Sequence, residues 1–452
     1  MTPRVRIAPS PTGNLHIGTA RTALFNFLFA RKEGGVFIVR IEDTDKERNK
    51  PEYEKNIIDG FNWLGIKYDE FYRQSERIDS HKKWLKKLID ENKAYLSKEE
   101  EGGNRDEVIR FRNPNRDISF EDTVRGQVSF NTEELGDFVI ARSMDEPLYH
   151  FAVVVDDFEM NINHVIRGED HISNTPRQIL IQEAIGAPRP KYSHIPLILA
   201  KDRSKMSKRH GAVSINEFKD RGFLPEAMVN YLALLGWHPD DDREIFSMKE
   251  LVEVFDLSRI QKGGAIFDEN KLLWVNKEHI KRMPEEERKK IIIEKIIQSE
   301  KSKDREWGSG EDLAGKIEPL ISERISKWSE VDELMASGDL DYFFEKPVYG
   351  ASVLNYKGEQ EKSDIIRHLN TVGAILQEQD EKELSAEKVK GFIWSYAEKE
   401  GRGAVLWPFR VALSGKDKSP DPFVLAQILG KKETSERIKE AVRKIDAETG
   451  RK

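Results

Sequence analysis

Apolar positions change period several times along the chain, and each change marks an element. Val5 to Ala8 is a short apolar run that stops at Pro9, and Pro9-Ser-Pro-Thr-Gly13 cannot continue as helix or central strand. From Ile17 the spacing turns helical: Ala20, Ala23, Leu24, Phe27 and Leu28 recur every three or four residues, and Gly34 offers a stop. Val36-Phe-Ile-Val-Arg-Ile41 is apolar with little alternation, as in a strand covered on both faces. Strand, helix and strand in this order predict a βαβ unit with a right-handed crossover. It ends in Glu42-Asp-Thr-Asp45, at the carboxyl end of the second strand, where ligands bind in open α/β sheets.

Further along, helical spacing predicts helices over 51–65 and 80–96. The composition breaks from Ser97 to Arg105, around Glu99-Glu-Glu-Gly-Gly103. Short strands follow at Val108–Arg112, Gln127–Phe130 and Phe138–Ala141, forming an insertion between two halves of one sheet domain. Tyr149 to Val155 is continuously apolar and reads as a buried strand closed by Asp156-Asp157. Val165-Ile166 leads into Arg167-Gly-Glu-Asp-His171. Asn174 or Thr175 is expected to cap a helix at Pro176 that Gly186 ends, and Ile195–Leu199 is the last strand, feeding a loop over 201–211. From about 215 the pattern is helical, over 227–235, 248–255, 269–275 and 284–300. Lys301–Gly310 has the polar, glycine-bearing composition of a linker, and amphipathic helices continue to 452, with the Lys/Glu-rich tail after Lys431 expected as a solvated face.

Composition narrows the class. A chain of 452 residues exceeds one ordinary core, so several domains are expected. It is 38% hydrophobic and 34% charged, with a net charge of −7, which argues against binding nucleic acid by bulk charge while leaving a local basic face open. There is no cysteine, which excludes disulfides and thiolate zinc sites. No apolar run approaches the roughly 18–20 residues of a membrane span. Pro3, Arg4 and Arg6 stand where a signal peptide would need its apolar core. A cytoplasmic, membrane-free protein is expected.

Two stretches carry candidate chemistry. In the first loop, Gly13 and Gly18 let an anion approach the backbone at a helix N-terminus, and His16 between them can donate to a phosphate oxygen. Taken alone, His16 reads more readily as an incidental surface histidine near a turn. In the second, Lys205-Met-Ser-Lys-Arg209 follows the last strand of the sheet and can reach the same crevice. Two cationic clusters facing a triphosphate suit in-line attack on phosphorus, where catalysis is positioning plus charge neutralisation.

As a pair these stretches resemble the signature of the class I aminoacyl-tRNA synthetases: Pro11-Thr-Gly-Asn-Leu-His16-Ile-Gly18, with Thr19 in place of the family's final His, and Lys205-Met-Ser-Lys-Arg209. Within that class, Arg6–Gly13, Phe37–Asp45, Tyr149–Asp157, Val165–His171 and Gly222–Ala227 resemble the bacterial-type glutamyl-tRNA synthetases. The likeness runs from residue 4 to about 275 and returns over Tyr396–Lys399 and Pro408–Gly415.

The resemblance implies a Rossmann-like α/β catalytic domain with an α+β insertion, followed by an all-α anticodon-binding region. The implied division is 1–96 and 146–211 for the two catalytic halves, 97–145 for the inserted acceptor-binding segment, 212–305 for a helical stem-contact domain and 306–452 for the anticodon-binding domain. It implies ATP-dependent ligation of L-glutamate to tRNA(Glu) through a glutamyl-adenylate, with tRNA bound before activation. For glutamate it implies Arg6, Ala8, Ser10, Glu42, Tyr149, Val153 and Arg167, since guanidinium forks suit carboxylates and Glu42 suits the ammonium. For ATP, entering with Mg²⁺ as substrate, it implies His16, Gly18, Asp170, Ile198 and Lys208. His16, Gly18, Lys205 and Lys208 are the implied catalytic set. Without the motifs, Glu42 and Arg167 read as structural ion pairs and Tyr149 as a core aromatic.

Relatives often carry a Cys/His zinc cluster in the insertion; here cysteine is absent and Ser97–Val108 looks shortened, so no zinc is expected, and no protein metal cage is drawn from Asp43, Asp45, Asp156 and Asp157. In relatives an Arg in the C-terminal region helps separate the anticodons for glutamate and glutamine. Leu376-Gln-Glu-Gln-Asp380 has none, which hints at charging tRNA(Gln) as well. A monomer is expected. The helical C-terminal part disfavours both the truncated relative that glutamylates a tRNA base and glutaminyl-tRNA synthetase. An inactive tRNA-binding paralogue is the alternative from another class, and the intact motifs speak against it.

Overall fold

The computed structural model describes residues 2–45, 47–98, 107–299, 310–381 and 384–449, except the side chains of Lys208 and Thr449. The chain divides into two compact units, Met1–Arg282 and Met283–Lys452.

The first unit begins with β1 (Arg4–Ile7), α1 (Ile17–Lys32), β2 (Val36–Ile41), α2 (Pro51–Trp63), β3 (Glu70–Arg73) and α3 (Ile78–Asp90). Strands β1, β2 and β3 are parallel, with β2 central and Val5 opposite Phe37. The βαβ unit is therefore present. Helix α1 is more buried than an amphipathic helix, since every residue from Ala20 to Leu28 is buried. The turn into β2 is tight: a Cβ on Gly35 would stand 2.4 Å from the Pro3 carbonyl oxygen, which accepts the Val36 N–H. Gly35→Ala is expected to cost about 1–3 kcal/mol through backbone displacement, read as a lower thermal midpoint with unchanged ligand affinities.

Helix α3 is shorter than the 80–96 expected. The chain turns at Asn92, which has a positive φ of 55°, and enters a strand. The insertion holds β4 (Ala94–Lys98), β5 (Glu107–Phe111), β6 (Asp117–Asp122), β7 (Gly126–Asn131), β8 (Phe138–Ser143) and β9 (Glu146–Pro147). Strands β4, β5, β8 and β9 form one antiparallel sheet. Strand β6 was not expected, although it alternates strictly, with Ile118, Phe120 and Asp122 buried. It pairs with β7 in a hairpin and, through Asp122 opposite Tyr192, joins the sheet of the second catalytic half.

The expected strand at Tyr149–Val155 is instead a helix, α4 (Tyr149–Glu159). Phe151 to Asp157 are all buried, and a helix covered on nearly every face carries no polar stripe to betray its 3.6-residue period. After it come β10 (His164–Gly168), α5 (Thr175–Ile185), β11 (Lys191–Ile195), β12 (Ile198–Leu199), α6 (Ile215–Asp220), α7 (Pro225–Leu234), α8 (Met248–Val254), β13 (Ala265–Ile266) and α9 (Glu269–Arg282). Strands β10 and β11 are parallel, in the order β10-β11-β6-β7. Pro196 splits the strand expected over Ile195–Leu199. No side-chain cap closes the start of α5, where Thr175 Oγ1 donates back to the His171 carbonyl; Gly186 ends the helix in the left-handed region as expected.

In the second unit the described residues are helical and turn-forming, with helices Glu285–Gln298, Gly310–Arg324, Ser329–Ala336, Lys362–Gln377, Ala386–Glu400, Arg402–Ser414 and Pro422–Thr449, the last broken by a kink at Gly430. The expected linker Lys301–Gly310 lies outside the described residues apart from Gly310, which opens a helix. The tail after Lys431 is not merely a solvated face: Ile438, Ala441 and Ile445 are core, and buried Arg437 donates to Glu433 and to the Tyr342 carbonyl, both at 2.7 Å. Among the described residues no helix is long and apolar enough to cross a membrane.

Candidate active site

At the carboxyl ends of β1, β2 and β10 lies a cavity of about 680 Å³. Its lining includes Arg6, Ala8, Ser10, His16, Gly18, Glu42, Tyr149, Arg167, Asp170, Ile198 and Lys205. Residues from distant parts of the chain, suggested as two substrate sets and a basic loop, thus share one space. Val153 does not line it; one turn beyond Tyr149 on α4, it is packed in the core. Lys208 opens a short 3-10 turn over Lys208–His210, and its side chain lies outside those described.

His16 is the N-cap of α1. Its Nδ1 accepts the Gly18 N–H at 3.1 Å, so the neutral ring carries its proton on Nε2. Burial and the nearby Lys205 charge lower its pKa, which keeps the ring neutral at physiological pH. The loop is fastened from both sides: Leu15 N–H donates to Asn56, Ile17 N–H to the Val213 carbonyl, and Ile215 N–H to the Leu15 carbonyl. The chain leaving the Lys205–Arg209 run is therefore stitched to the His16 loop. Across the cavity, Lys205 Nζ pairs with Asp170 at 3.1 Å.

Arg6 on β1 is buried and gives its Nε to Asp157 of α4, at 3.1 and 3.2 Å. Asp157 also accepts from Nη1 of the fully buried Arg40 at 2.7 Å, and Arg40 Nη2 reaches Glu42 at 3.3 Å. Burial alone would lower the Arg40 pKa, but Asp157, Asp156 and Glu42 outweigh it and raise it. Burial pushes the Glu42 carboxyl up, against the pull of Arg40 and Arg6. Asp156 and Asp157, rather than lying at a strand end, sit on a helix and brace arginines.

Asp156 is further held by Arg77 at 2.7 Å, Gln74 at 2.8 Å and His81 at 2.9 Å. Burial would raise its pKa, yet the His81 hydrogen bond and the Arg40 charge bring it to about 2. A depressed folded-state pKa stabilises the protein above the unfolded value near 4, and that contribution is lost as pH falls towards about 2. The gap in thermal midpoint between the natural protein and Asp156→Asn is expected to narrow over this acid window.

Arg167, at the end of β10, is 6% exposed and donates to His194 Nε2 at 3.1 Å, Gln178 at 2.8 Å and Thr175 at 2.8 Å. Among the described residues none of its hydrogen-bond partners is a carboxylate. Burial lowers its pKa. Tyr149 Oη lies 3.1 Å from His171 Nδ1, and burial, with Arg167 nearby, lowers the His171 pKa to about 4, leaving a neutral ring. A buried guanidinium whose hydrogen-bond partners are neutral is suited to take up an anion.

Residues that the sequence did not single out for the site include Arg40, His194, Asp122 and Arg21. Arg21 lines the cavity, donates to the carbonyls of Leu235 and Pro196, and burial lowers its pKa to about 10. A charged residue within an otherwise apolar run was the available signal for Arg40 and Arg21.

Residues 3–107 and 96–274 match the model of the family described as tRNA synthetases class I (E and Q), catalytic domain. The chain belongs to this family. Its residues 285–442 also match the anticodon binding domain model, so a class I catalytic domain with mixed sheets precedes an all-helical anticodon-binding domain. A glutamate–tRNA ligase of Carboxydothermus hydrogenoformans is 41% identical over 486 aligned positions, spanning 96% of this synthetase and 98% of that protein. One of Aquifex aeolicus is 48% identical over 317, spanning 62% and 67%. The crystal structure of a glutamate tRNA ligase from Elizabethkingia meningosepticum, in complex with its amino acid, superimposes with a TM-score of 0.85 at 32% identity, covering 98% of this chain and 99% of that one.

Proposed function

We propose that this synthetase activates L-glutamate with ATP and transfers it to the terminal adenosine of tRNA(Glu). The observation that carries the amino-acid assignment is Arg167, a buried cation with no carboxylate partner among the described residues, in the same cavity as Arg6 and the carboxylate of Glu42. Two guanidinium groups suit the two carboxylates of glutamate, and Glu42 suits its ammonium. Tyr149, Ala8 and Ser10 complete the pocket wall, with Val153 behind Tyr149.

In the first step the α-carboxylate attacks the α-phosphorus of ATP, which enters as its Mg²⁺ complex, and pyrophosphate leaves. His16 Nε2–H and the α1 N-terminus at Gly18 serve the phosphates, Asp170 and the Ile198 backbone hold the nucleoside, and Lys205 and Lys208 neutralise charge on the leaving pyrophosphate. In the second step the adenosine hydroxyl attacks the activated carbonyl and AMP leaves. In this reading residues 97–145 meet the acceptor end, 212–305 the stem and 306–452 the anticodon, and the protein works as a cytoplasmic monomer without zinc, which the lack of cysteine supports. Gln377, Glu378 and Asp380 are exposed at the end of their helix without an Arg, which supports charging of tRNA(Gln) too.

ATP–pyrophosphate exchange tests the reading: exchange with glutamate only when tRNA is present is expected, and no exchange or aminoacylation with any tRNA would overturn it. Charging purified tRNA(Glu) and tRNA(Gln) separately decides the second substrate. His16→Asn gives a sharper result. Asparagine is as good an N-cap as any residue, so the thermal midpoint is expected to hold, while loss of the Nε2–H donor slows adenylate formation about 10²-fold.

A further inference from the structure

Asp122, His194 and Arg167 stand in file from the inserted hairpin to the cavity. Asp122 ends β6, His194 lies on β11 and Arg167 stands next to the end of β10, and all are buried. Asp122 Oδ2 meets His194 Nδ1 at 2.6 Å, and the same carboxylate accepts the His194 backbone N–H at 3.0 and 3.2 Å. On the other side, Arg167 Nε is 3.1 Å from His194 Nε2. An arginine Nε can only donate, so Nε2 is the acceptor, and Nδ1 carries the proton and donates it to Asp122. The tautomer is fixed at both ends, and burial lowers the His194 pKa, which keeps the ring neutral.

This order of groups has a consequence for charge. A carboxylate bonded directly to Arg167 would neutralise the guanidinium and compete with a substrate carboxylate. Placed one imidazole away, Asp122 orients the fork without cancelling it. The hairpin turn is itself firmly seated. Asp122 Oδ1 accepts the N–H groups of Val124 and Arg125 at 3.0 and 2.9 Å. Arg125 Nη1 reaches the Lys262 carbonyl at 2.8 Å, and its Nη2 pairs with Glu169. Glu169 in turn accepts the N–H of the cavity-lining Leu197 at 2.7 Å.

We propose that Asp122 and His194 are positioning residues for amino-acid recognition: they fix the Nε edge of Arg167 so that its remaining donors meet the substrate carboxylate, and thereby tie the inserted hairpin to glutamate affinity. The proposal rests on the glutamate reading above. Its test is pyrophosphate exchange by the full-length protein with tRNA, varying glutamate and ATP in turn. Asp122→Asn removes the charge and turns one oxygen that accepts N–H groups into an amide NH2. Its glutamate KM is expected to rise about tenfold while the ATP KM and kcat stay near those of the natural protein, and its thermal midpoint is expected to fall because buried acceptors are lost. His194→Asn, which loses the acceptor for Arg167, is expected to raise it further, and His194→Gln, whose amide oxygen can accept from Arg167, to recover part of the loss. An unchanged glutamate KM in Asp122→Asn and His194→Asn would overturn the proposal alone. So would a parallel rise of the glutamate and ATP KM values, the mark of a merely structural role. No glutamate-dependent exchange by the natural protein would overturn both this proposal and the reading beneath it.

Discussion

Arg167→Met is expected to raise the glutamate KM in pyrophosphate exchange by about 10²- to 10³-fold, with the ATP KM little changed. Losing one member of a buried, hydrogen-bonded charge pair costs about 2–5 kcal/mol, and each 1.4 kcal/mol is about tenfold. Most of the cost is expected to fall on the complex, because the hydrogen-bond partners of Arg167 among the described residues, His194, Gln178, Thr175 and the His171 carbonyl, are neutral. The thermal midpoint of the free protein is therefore expected to move much less than affinity, since a buried cation without a counter-charge is itself a burden on the fold. With glutamate added, the natural protein is expected to gain thermal stability that the variant does not. Arg167→Lys keeps the charge and loses the planar fork, so it is expected to recover only a small part of the affinity. A variant that kept wild-type glutamate KM would remove Arg167 from the amino-acid site.

The sequence announced the parts of this site that are local. The βαβ start was legible because an unbroken apolar strand, a proline-rich turn and helical spacing follow one another between Val5 and Ile41. The loop at His16 and the run at Lys205 were legible because their residue types are rare together. What escaped reading is what depends on partners far along the chain. Strand β11 reads Lys-Tyr-Ser-His-Ile, which looks half polar, yet Ser193 and His194 are buried because Asp122 and Arg167 satisfy His194 from other strands. Helix α4 hid its period because its polar residues, Asp156 and Asp157, are buried along with its valines. Their partners Arg6, Arg40 and His81 are 75 to 151 positions away. Burial of charge reverses the usual correspondence between polarity and surface, and no local pattern reveals it.

Asp157→Ala is expected to produce the largest loss of stability. Its carboxylate is shared by Arg6 Nε and Arg40 Nη1, so β1, β2 and α4 meet on one buried charge. Removing it takes the shared carboxylate from two guanidinium groups and leaves the fully buried Arg40 to its more distant partners, Glu42 at 3.3 Å and Asp156 at 3.9 Å. Breaking a buried pair from one side costs about 3–5 kcal/mol, a large share of the roughly 5–15 kcal/mol that holds a domain together. For a unit of this size the thermal midpoint is expected to fall by about 10 °C. Asp157→Asn, which keeps one acceptor in place, is expected to fall about half as far. The double variant Arg40→Met, Asp157→Ala is expected to be more stable than Asp157→Ala alone, because the methionine removes a buried cation that has lost its nearest carboxylate. If the two losses simply added, Asp157 would not be acting through Arg40. The substrate enters the same balance: with Asp157 gone, Arg6 and Arg40 both turn to Glu42, whose carboxylate is then less available to an ammonium group. The stability loss in Asp157→Ala should thus come with weaker glutamate binding, and restoring stability through Arg40→Met should restore fold without restoring that affinity.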